Sequence, residues 1–429
     1  MKVYKFGGAS VKDVKGIENI AKILQDHSDD KMLVIVSAMG KTTNALENLL
    51  DLSLSKKDWE VAFHSIQSFH IDICHELFPQ DHAVFGDLKL LFDELAALLR
   101  KVVSAKYDYY YDQIVSLGEL FSTTIVAKYL SDQKMDCELG DARQLILTDD
   151  SFRSAKVDID ATVRAMQEGM KSISGIWLVQ GFIGYNKNGD TTTLGREGSD
   201  YSAALFANAL DVDEVTIWKD VDGVYNADPK IFSQVSLIQE LSYKDAVELA
   251  FYGASIIHPK TIQPLKKKMI KLKVRSFYHR NNTGTSIHEL GINKKQETTI
   301  IVKKNQVLLS LTPRDFSFMD VENIGLAFQI LSKHHQQINL IQNSAISFSI
   351  CLDDHPSQFT DTVHDLQKIF ELRYNRNQVL VTIRHYQPEV IEKIYAQLEF
   401  KIEQRNRSTY QILVSEQEFE SKLIKMLNE

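Results

Sequence analysis

A lysine and two glycines directly after the first apolar run form one candidate phosphate site. Residues 5–10 read Lys-Phe-Gly-Gly-Ala-Ser and lead from a strand pattern into a helical pattern. Glycines let backbone N–H groups approach a phosphate, the start of a helix adds partial positive charge, and Lys5 adds a full charge. Ser10 and Asp13 have the spacing of a helix capping box. The segment lacks the spacing of a P-loop, so a purely structural turn stays an open alternative.

A second candidate site lies at residues 193–200, just before a helical pattern at residues 201–210. Ser199 is predicted to cap that helix, which places Asp200 in its first turn. An aspartate there is suited to holding Mg²⁺ or orienting a phosphoryl group, and Arg196 is suited to binding a carboxylate through two hydrogen bonds. The alternative is that Asp200 only compensates the helix dipole and that Arg196 is solvated.

A third candidate segment, residues 218–230, follows a strand pattern and is dense in loop-forming residues. The carboxyl end of a strand is where an open α/β sheet binds its ligand. The segment begins like a calcium-binding loop, but Ile231 stands twelfth from Asp220, where that loop requires glutamate. Calcium is therefore the poorer interpretation.

The elements that must position these segments are visible in the apolar pattern. Over about the first 230 residues, short apolar runs alternate with helical patterns, which predicts a mostly parallel sheet covered by helices. The clearest strands are residues 3–6, 32–36, 176–183 and 214–219. Residues 43–130 carry apolar side chains at helical spacing and predict an inserted helical lobe.

After about residue 290 the order strand, helix, strand, strand, helix occurs twice. The two opening strands, residues 307–311 and 379–383, are 72 residues apart. The predicted closing helices are residues 359–370 and 416–427. The matching order favours a tandem of small α+β sandwiches over two unrelated segments.

Composition narrows the class of protein. With 429 residues, 44% of them hydrophobic, the chain is long enough for more than one domain. The net charge of −8 disfavours a nucleic-acid or anionic-membrane partner. Three widely spaced cysteines indicate neither a disulfide framework nor a zinc site. Without a signal pattern or a long apolar stretch, we expect a soluble, unprocessed, cytoplasmic protein.

The order and spacing of seven segments resemble the aspartate kinases of the amino-acid kinase superfamily. These segments are residues 5–11, 37–44, 118–123, 180–184, 195–200, 220–229 and 253–259. The resemblance implies an α/β amino-acid kinase fold, a mostly parallel sheet between helices with an inserted helical lobe, followed by two α+β ACT-like domains of ferredoxin-like topology. The implied domains are a catalytic domain at 1–290, with its lobe at about 43–130, and ACT-like domains at 300–375 and 376–429, which a strand at 298–304 can interleave.

The resemblance also implies an activity and its residues. ATP and Mg²⁺ are the implied cofactors, and L-aspartate is the substrate, giving 4-phospho-L-aspartate for lysine, threonine and methionine synthesis. The implied catalytic residues are Lys5, Arg196 and Asp200, with Mg-ATP near Asp200 and no dedicated metal site. The implied ATP-binding residues are Lys5, Phe6, Gly7, Gly8, Ser10, Lys219, Asp220, Tyr225 and Lys230. The implied aspartate-binding residues are Ser37, Thr43, Glu119, Arg196 and Ser199, with Glu119 on the α-amino group.

Three residues of the implied catalytic domain depart from the family pattern. Ala9 stands where threonine is usual, Glu197 replaces a glycine, and Ser255 stands where a lysine often contacts the nucleotide. An inward Glu197 would place negative charge beside an anionic site, whereas an outward one would pair with a surface cation. Lys260 is a possible substitute for the missing lysine.

The C-terminal repeat implies regulation by lysine or threonine. The implied regulatory residues are Met319, Asn339, Gln342, Asn343 and Ser344. Lysine-inhibited relatives often carry carboxylates at the positions of Asn339 and Ala345, so we expect weak or absent lysine inhibition here. Because edge strands of such domains commonly pair across a two-fold axis, a homodimer or a dimer of dimers is expected.

Two other functions compete with this one. A related kinase acting on glutamate, N-acetylglutamate or a nucleotide is disfavoured by the ACT-like repeat and by the segment at Gly118 and Glu119. A catalytically weak amino-acid sensor is disfavoured because four implied site residues are retained: Lys5, Glu119, Arg196 and Asp200. From the length of 429 residues we expect no fused dehydrogenase.

Overall fold

A computed structural model describes residues 1–26, 31–171, 173–254, 256–289, 297–315 and 317–428. The chain divides into two compact units. The first comprises residues 1–224, 237–250 and the described part of 255–292. The second comprises residues 225–236, 251–254 and the described part of 293–429.

The first unit is built on a mostly parallel sheet. Its described strands are β1 (Lys2–Phe6), β2 (Met32–Val36), β3 (Cys137–Leu139), β4 (Ile176–Gln180), β5 (Ile183–Tyr185), β6 (Thr191–Thr193), β7 (Glu214–Lys219), β8 (Glu240–Ser242), β9 (Lys271–Ser276) and β10 (Thr285–His288). The main sheet has the order β3-β4-β2-β1-β7-β9-β10-β8, and β5 and β6 form a separate hairpin. Within the main sheet the β9–β10 pair is antiparallel.

Helices surround this sheet and form the inserted lobe. They are α1 (Val14–Gln25), α2 (Thr42–Leu54), α3 (Glu60–Leu77), α4 (Val84–Leu99), α5 (Tyr107–Val115), α6 (Leu117–Asp132), α7 (Ile159–Met170), α8 (Gly198–Leu210), α9 (Tyr243–Tyr252) and α10 (Pro259–Lys267). The lobe consists of α2 to α6, as the apolar spacing predicted.

The central strands are apolar because both of their faces are covered. Every residue of β2 and of β4 is buried, as expected for a parallel strand between two layers of helices. Across β1 and β7, the rings of Phe6 and Trp218 stack with centroids 6.2 Å apart. The predicted strand at 176–183 is not continuous, because β4 ends at Gln180 and β5 begins at Ile183, and Phe182 between them has a positive φ of 70° that turns the chain into the hairpin.

The second unit contains one antiparallel sheet with helices. Its described strands are β11 (Thr299–Pro313), β12 (Ile338–Asn343), β13 (Phe348–Asp353), β14 (Phe370–Arg384), β15 (Ile402–Arg405) and β16 (Thr409–Ser415). The helices are α11 (Val321–Lys333), α12 (Pro356–Leu366), α13 (Pro388–Gln397), α14 (Glu416–Glu418) and α15 (Ile424–Asn428), with a π-helical stretch at Phe419–Leu423. The strand order is β12-β13-β11-β14-β16-β15.

The two predicted repeats share their central strands. The strands β11 and β14, each of 15 residues, pair with each other along both halves of the sheet. Separate hydrophobic clusters fill the halves, one around Leu309 and Phe348 and the other around Val381 and Ile412. The predicted helix at 359–370 is wrong at its end, because α12 stops at Leu366 and Phe370 already begins β14. The predicted helix at 416–427 is interrupted by the π-helical stretch.

Among the described residues, no helix combines the length and the apolar character needed to cross a bilayer.

A buried histidine in the helical lobe makes the stability of the protein depend on pH. His70 is fully buried, its Nδ1 lies 2.8 Å from the carbonyl oxygen of Ile66, and its ring contacts Phe92 and Phe121. Burial lowers the pKa of His70 from 6.5 to about 4, against a smaller opposing effect of the Ile66 hydrogen bond. Below pH 6.5 the imidazole of His70 therefore becomes protonated in the unfolded chain. In the folded chain it stays neutral down to about pH 4.

We expect the free energy of unfolding to fall by about 2 kcal/mol through this residue between pH 7 and pH 5. The variant His70→Leu removes that contribution and flattens the pH dependence over this window. Urea unfolding at both pH values measures it. The matched control is His64→Leu at an exposed position of the same helix, which should keep the wild-type pH dependence. Equal slopes in all three proteins would contradict the assignment.

Candidate active site

The segments that could do chemistry meet in one cavity of the first unit. It opens at the carboxyl ends of β1, β2 and β7 and at the start of α8, and its volume is about 580 Å³. Nine of the predicted site residues line it: Lys5, Gly8, Ser37, Thr43, Glu119, Arg196, Ser199, Asp200 and Lys219. The structure therefore joins the first two candidate phosphate segments, which are far apart in the sequence.

The turn after β1 is held tightly under the loop after β2. The N–H of Gly40 donates to the carbonyl oxygen of Gly8 at 3.0 Å, and a Cβ on Gly8 would lie 2.7 Å from the carbonyl oxygen of Ala38. Only glycine fits this approach. The predicted capping box is wrong: Ser10 ends a short 3₁₀ turn, and Asp13 itself caps α1 by accepting from the N–H of Gly16 at 2.8 Å.

The helix α8 begins earlier than predicted. Its N-cap is Glu197, with a left-handed φ of 51° and no capping hydrogen bond from its side chain, so the prediction that Ser199 is the cap is wrong. The prediction that Asp200 lies in the first turn is confirmed. Ser199 packs against Gly181, where an added Cβ would lie 2.5 Å from the Cβ of Ser199.

A cluster of two lysines and two carboxylates occupies the floor of the cavity. The Nζ of Lys5 lies 2.6 Å from Oδ1 of Asp200, and the Nζ of Lys219 lies 3.3 Å from Oδ2 of Asp200. Lys219 also donates to the carbonyl oxygen of Ile256. Burial alone would raise the pKa of Asp200, but the two ammonium groups outweigh it and lower that pKa to about 2. Asp200 is thus a carboxylate at neutral pH.

The fourth member of this cluster is Glu197, whose side chain points into the cavity. Its Oε2 lies 3.8 Å from the Nζ of Lys219 and is shielded from solvent. Burial raises the pKa of Glu197, Lys219 opposes this, and the neighbouring Asp200 adds to it. Of the two orientations considered from the sequence, the structure has the inward one.

The opposite wall carries a buried carboxyl group. Glu119, on α6, is 2% exposed, and its Oε1 accepts from the N–H of Ala38 at 3.4 Å. Within the described ranges its Oε2 has no hydrogen-bond partner. Burial raises the pKa of Glu119 to about 8, against the smaller opposing effect of the Ala38 N–H. Thr43 and Ser37 lie on the same wall, which therefore offers polar groups but, before any ligand binds, little charge.

Sequence reasoning missed Arg153 and Tyr111, which also line the cavity. The guanidinium of Arg153 lies 4.5 Å from the centroid of the Tyr111 ring and 3.5 Å from Oε1 of Glu47. Arg153 has a left-handed φ of 66°. Neither residue belongs to a recognisable motif, so only the fold brings them to the site.

A buried aspartate connects the Arg153 loop to the approach to α8. The carboxylate of Asp112 accepts from the N–H of Arg153 at 3.0 and 3.1 Å, and from the N–H and Oγ1 of Thr193 at 2.8 and 2.7 Å. Burial raises the pKa of Asp112 to about 6, although these hydrogen bonds oppose the rise. Asp112 thus fixes two walls of the cavity relative to each other.

Some predicted residues lie elsewhere. The side chain of Phe6 is fully buried in the core, and Ser10 is buried in its 3₁₀ turn. Gly7 precedes that turn, and the Nζ of Lys5 would lie 3.4 Å from a Cβ added there. Asp220 is exposed beyond the end of β7.

Tyr225 and Lys230, two other predicted nucleotide contacts, are not among the residues that line this cavity. Tyr225 and Lys230 belong to the second compact unit. Ser255 lies outside the described residues. The suggested substitute, Lys260, donates from its Nζ to the carbonyl oxygen of Leu194 at 3.0 Å and lies over the ring of Tyr201 at 5.2 Å. In the described structure its ammonium is therefore engaged beside α8.

Comparisons with known proteins agree with this geometry. Residues 1–276 match the model of the amino acid kinase family. The chain is 32% identical to lysine-sensitive aspartokinase 3 of Escherichia coli, over 86% of this chain and 82% of that protein. It is 30% identical to chloroplastic aspartokinase 3 of Arabidopsis thaliana, over 89% of this chain and 70% of that protein.

Solved structures give the same result. The crystal structure of Escherichia coli aspartokinase III in complex with lysine and aspartate is 26% identical and matches with a TM-score of 0.86, covering 99% of this chain and 98% of that one. The structure of that enzyme with aspartate and ADP matches with a TM-score of 0.83 at 26% identity, covering 100% of both chains. The chain therefore belongs to the amino acid kinase family and, within it, to the aspartate kinases.

Proposed function

We propose that the cavity described above transfers the γ-phosphoryl group of ATP to the β-carboxylate of L-aspartate, giving ADP and 4-phospho-L-aspartate. One observation carries this assignment: a buried cluster of Lys5, Lys219 and Asp200 shares its cavity with Glu119 and Arg196. The first group suits a polyphosphate, and the second suits the ammonium and carboxylate of an amino acid.

The nucleotide side of the site is the floor of the cavity, where the lysines and carboxylates cluster. The ammonium groups of Lys5 and Lys219 are held by Asp200, so they need no large rearrangement to meet phosphate oxygens. The backbone N–H groups at the start of α8 add the positive end of the helix dipole. The phosphates of ATP would therefore lie over Lys5, Lys219 and the turn at Gly8.

The acceptor side is the opposite wall. Glu119 would accept the α-ammonium of aspartate, and Arg196, which is exposed and lines the cavity, would bind a carboxylate. Ser37, Thr43 and Ser199 would add hydroxyl groups. The substrate's two carboxylates would then be distinguished by which one faces the nucleotide.

The chemistry requires no general base. The β-carboxylate of aspartate is ionised at neutral pH, so one of its oxygens can attack phosphorus while the bond from phosphorus to the ADP oxygen breaks. The protein's task is to hold the reactants in line and to offset their negative charges, which Lys5, Lys219 and Arg196 can do.

Mg²⁺ fits the donors on this floor. Asp200 and Glu197 supply carboxylate oxygens, and within the described residues Oε2 of Glu197 has no hydrogen-bond partner. Such oxygens, together with phosphate oxygens, are what Mg²⁺ prefers. When bound, Mg²⁺ would neutralise charge on the phosphates.

The second unit is proposed to carry regulation and dimerisation. In its first half, large apolar side chains are exposed at Phe318, Val321, Ile341 and Ile346, and β12 is an edge strand. These features suit pairing with a second copy of the chain. The domain limits near 290 and 375, and a cytoplasmic location, stay predictions from the sequence.

The kinase activity is tested by trapping the acyl phosphate with hydroxylamine in the presence of ATP, Mg²⁺ and L-aspartate. We expect aspartate-dependent hydroxamate with wild-type protein and none with L-glutamate. Asp200→Asn should lower the rate at least about a hundredfold, because Lys5 and Lys219 lose the charge that positions them.

The matched control is Asp211→Asn at the other end of α8. Asp211 is exposed and pairs with Lys268 at 2.9 Å, so the same substitution there should leave the rate unchanged. If wild-type protein binds amino acids but forms no product with either substrate, the sensor function replaces the kinase.

Aspartate binding should release a proton. With its pKa raised to about 8, Glu119 is mostly protonated at pH 7 and must ionise to accept an ammonium group. We expect release of about 0.9 proton per aspartate at pH 7, and weaker binding as the pH falls below 8. Calorimetry in two buffers of different ionisation enthalpy measures the release. Glu119→Gln should abolish it and raise KM for aspartate but not for ATP. Buffer-independent binding enthalpies in wild-type protein would refute this role.

Lysine below about 1 mM should leave the rate unchanged. Asn339 accepts from Lys303 at 2.6 Å and donates to Gln306 at 2.7 Å and to Asp353 at 2.8 Å. Both of its N–H donors are used within the sheet and its oxygen already holds an ammonium, while Ala345 has no polar side-chain atom. The hydroxamate assay with lysine and then threonine tests this. Inhibition by submillimolar lysine would show the expectation to be wrong.

A further inference from the structure

On the floor of the cavity, the carboxylate of Glu197 lies beside the carboxylate of Asp200. The side chain of Glu197 is 24% exposed, but its Oε2 is shielded from solvent and, in the part of the chain that is described, lacks a hydrogen-bond partner. It lies 3.8 Å from the Nζ of Lys219, and the carboxylate of Asp200 is close enough for the two negative charges to interact. A shielded carboxylate oxygen that accepts no hydrogen bond costs free energy unless a ligand supplies one.

The backbone at this residue adds a second cost. Glu197 has a φ of 51°, in the left-handed region where a residue with a side chain is strained relative to glycine. A strained conformation at a functional site is commonly part of what the site does. Here the conformation turns a carboxylate toward Asp200 and Lys219.

The charges of the cluster change when a nucleotide enters. In the described structure, Lys5 and Lys219 offset Asp200 and Glu197, so the four side chains are close to neutral. A triphosphate competes for the same two ammonium groups and adds about four negative charges at neutral pH. The two carboxylates are then left facing the phosphates, and a divalent cation is the counter-ion that can bind both.

We infer that Glu197 and Asp200 together hold the divalent cation that accompanies the nucleotide, so that this chain uses two protein carboxylates for the metal. This inference rests on the proposed function. Lys5 and Lys219 are the carboxylates' partners in this structure, and they would be available to the phosphates when Glu197 and Asp200 hold the cation. Glu197 thereby makes nucleotide binding strongly dependent on the metal.

The test is the coupling between metal and nucleotide, measured without turnover. ADP affinity is determined by calorimetry with the full-length chain in excess EDTA and in excess Mn²⁺, and bound Mn²⁺ is followed by electron paramagnetic resonance. We expect Glu197→Gln and Glu197→Gly to lower Mn²⁺ affinity in the presence of ADP about tenfold or more. In EDTA both variants should bind ADP as tightly as wild type or tighter, because one negative charge is gone.

Two controls separate charge from conformation. Glu168, on α7, is exposed and pairs with Lys171. Glu168→Gln removes this carboxylate and should keep the wild-type coupling between metal and nucleotide binding. Glu197→Gly suits the left-handed backbone, so a fold defect in the glutamine variant alone would not hide the result.

Each outcome decides the question. If the variants bind ADP more tightly by the same factor with and without Mn²⁺, Glu197 is only a counter-ion of Lys219 and the inference is overturned. If ADP does not bind wild-type protein, both the inference and the proposed function fail. Metal-coupled ADP binding that depends on Glu197, in a protein that does not phosphorylate aspartate, would support the metal role and reject the proposed acceptor.

Discussion

The buried contact between Lys5 and Asp200 is the constraint on which the arrangement of the active site depends. It joins the second-last residue of β1 to the first turn of α8, and Lys219 adds the end of β7 to the same carboxylate. Charges this deeply buried are tolerated only when each has a partner, so the three elements cannot shift independently. The tight passage of Gly8 beneath the loop after β2 adds a fourth element to the same framework. The floor of the cavity is therefore assembled before any ligand arrives.

The acceptor wall is organised by a different residue. Asp112 is 0% exposed, and its carboxylate accepts hydrogen bonds from the backbone of Arg153 and from Thr193. This carboxylate connects α5 of the helical lobe to β6, the strand that precedes residues 195–200. Arg153, Phe182 and Glu197 all have positive φ angles around the cavity, so the wall contains several backbone conformations that side chains do not favour. Such conformations persist because the surrounding hydrogen bonds and packing hold them.

The sequence predicted the main elements and most of the cavity, but it failed where local signals conflict with the fold. Strongly apolar runs marked β2 and β7, and seven ordered segments marked Lys5, Glu119, Arg196 and Asp200. Capping rules misassigned Ser10 and Ser199, since both lie near short turns whose geometry is decided by long-range contacts. The inward turn of Glu197 depends on a φ angle that no residue pattern reveals. Arg153 lies in a turn that Asp112 of α5 holds at the site through the backbone N–H of Arg153.

The long strands of the second unit limit how its two halves can evolve. Because β11 and β14 each run through both halves, the boundary between the halves crosses two continuous strands and contains no linker. A genetic deletion of either half would cut both strands and leave the other half with an unpaired, aggregation-prone edge. The two halves can therefore diverge in their exposed residues, but they must be inherited, duplicated or exchanged together as one module.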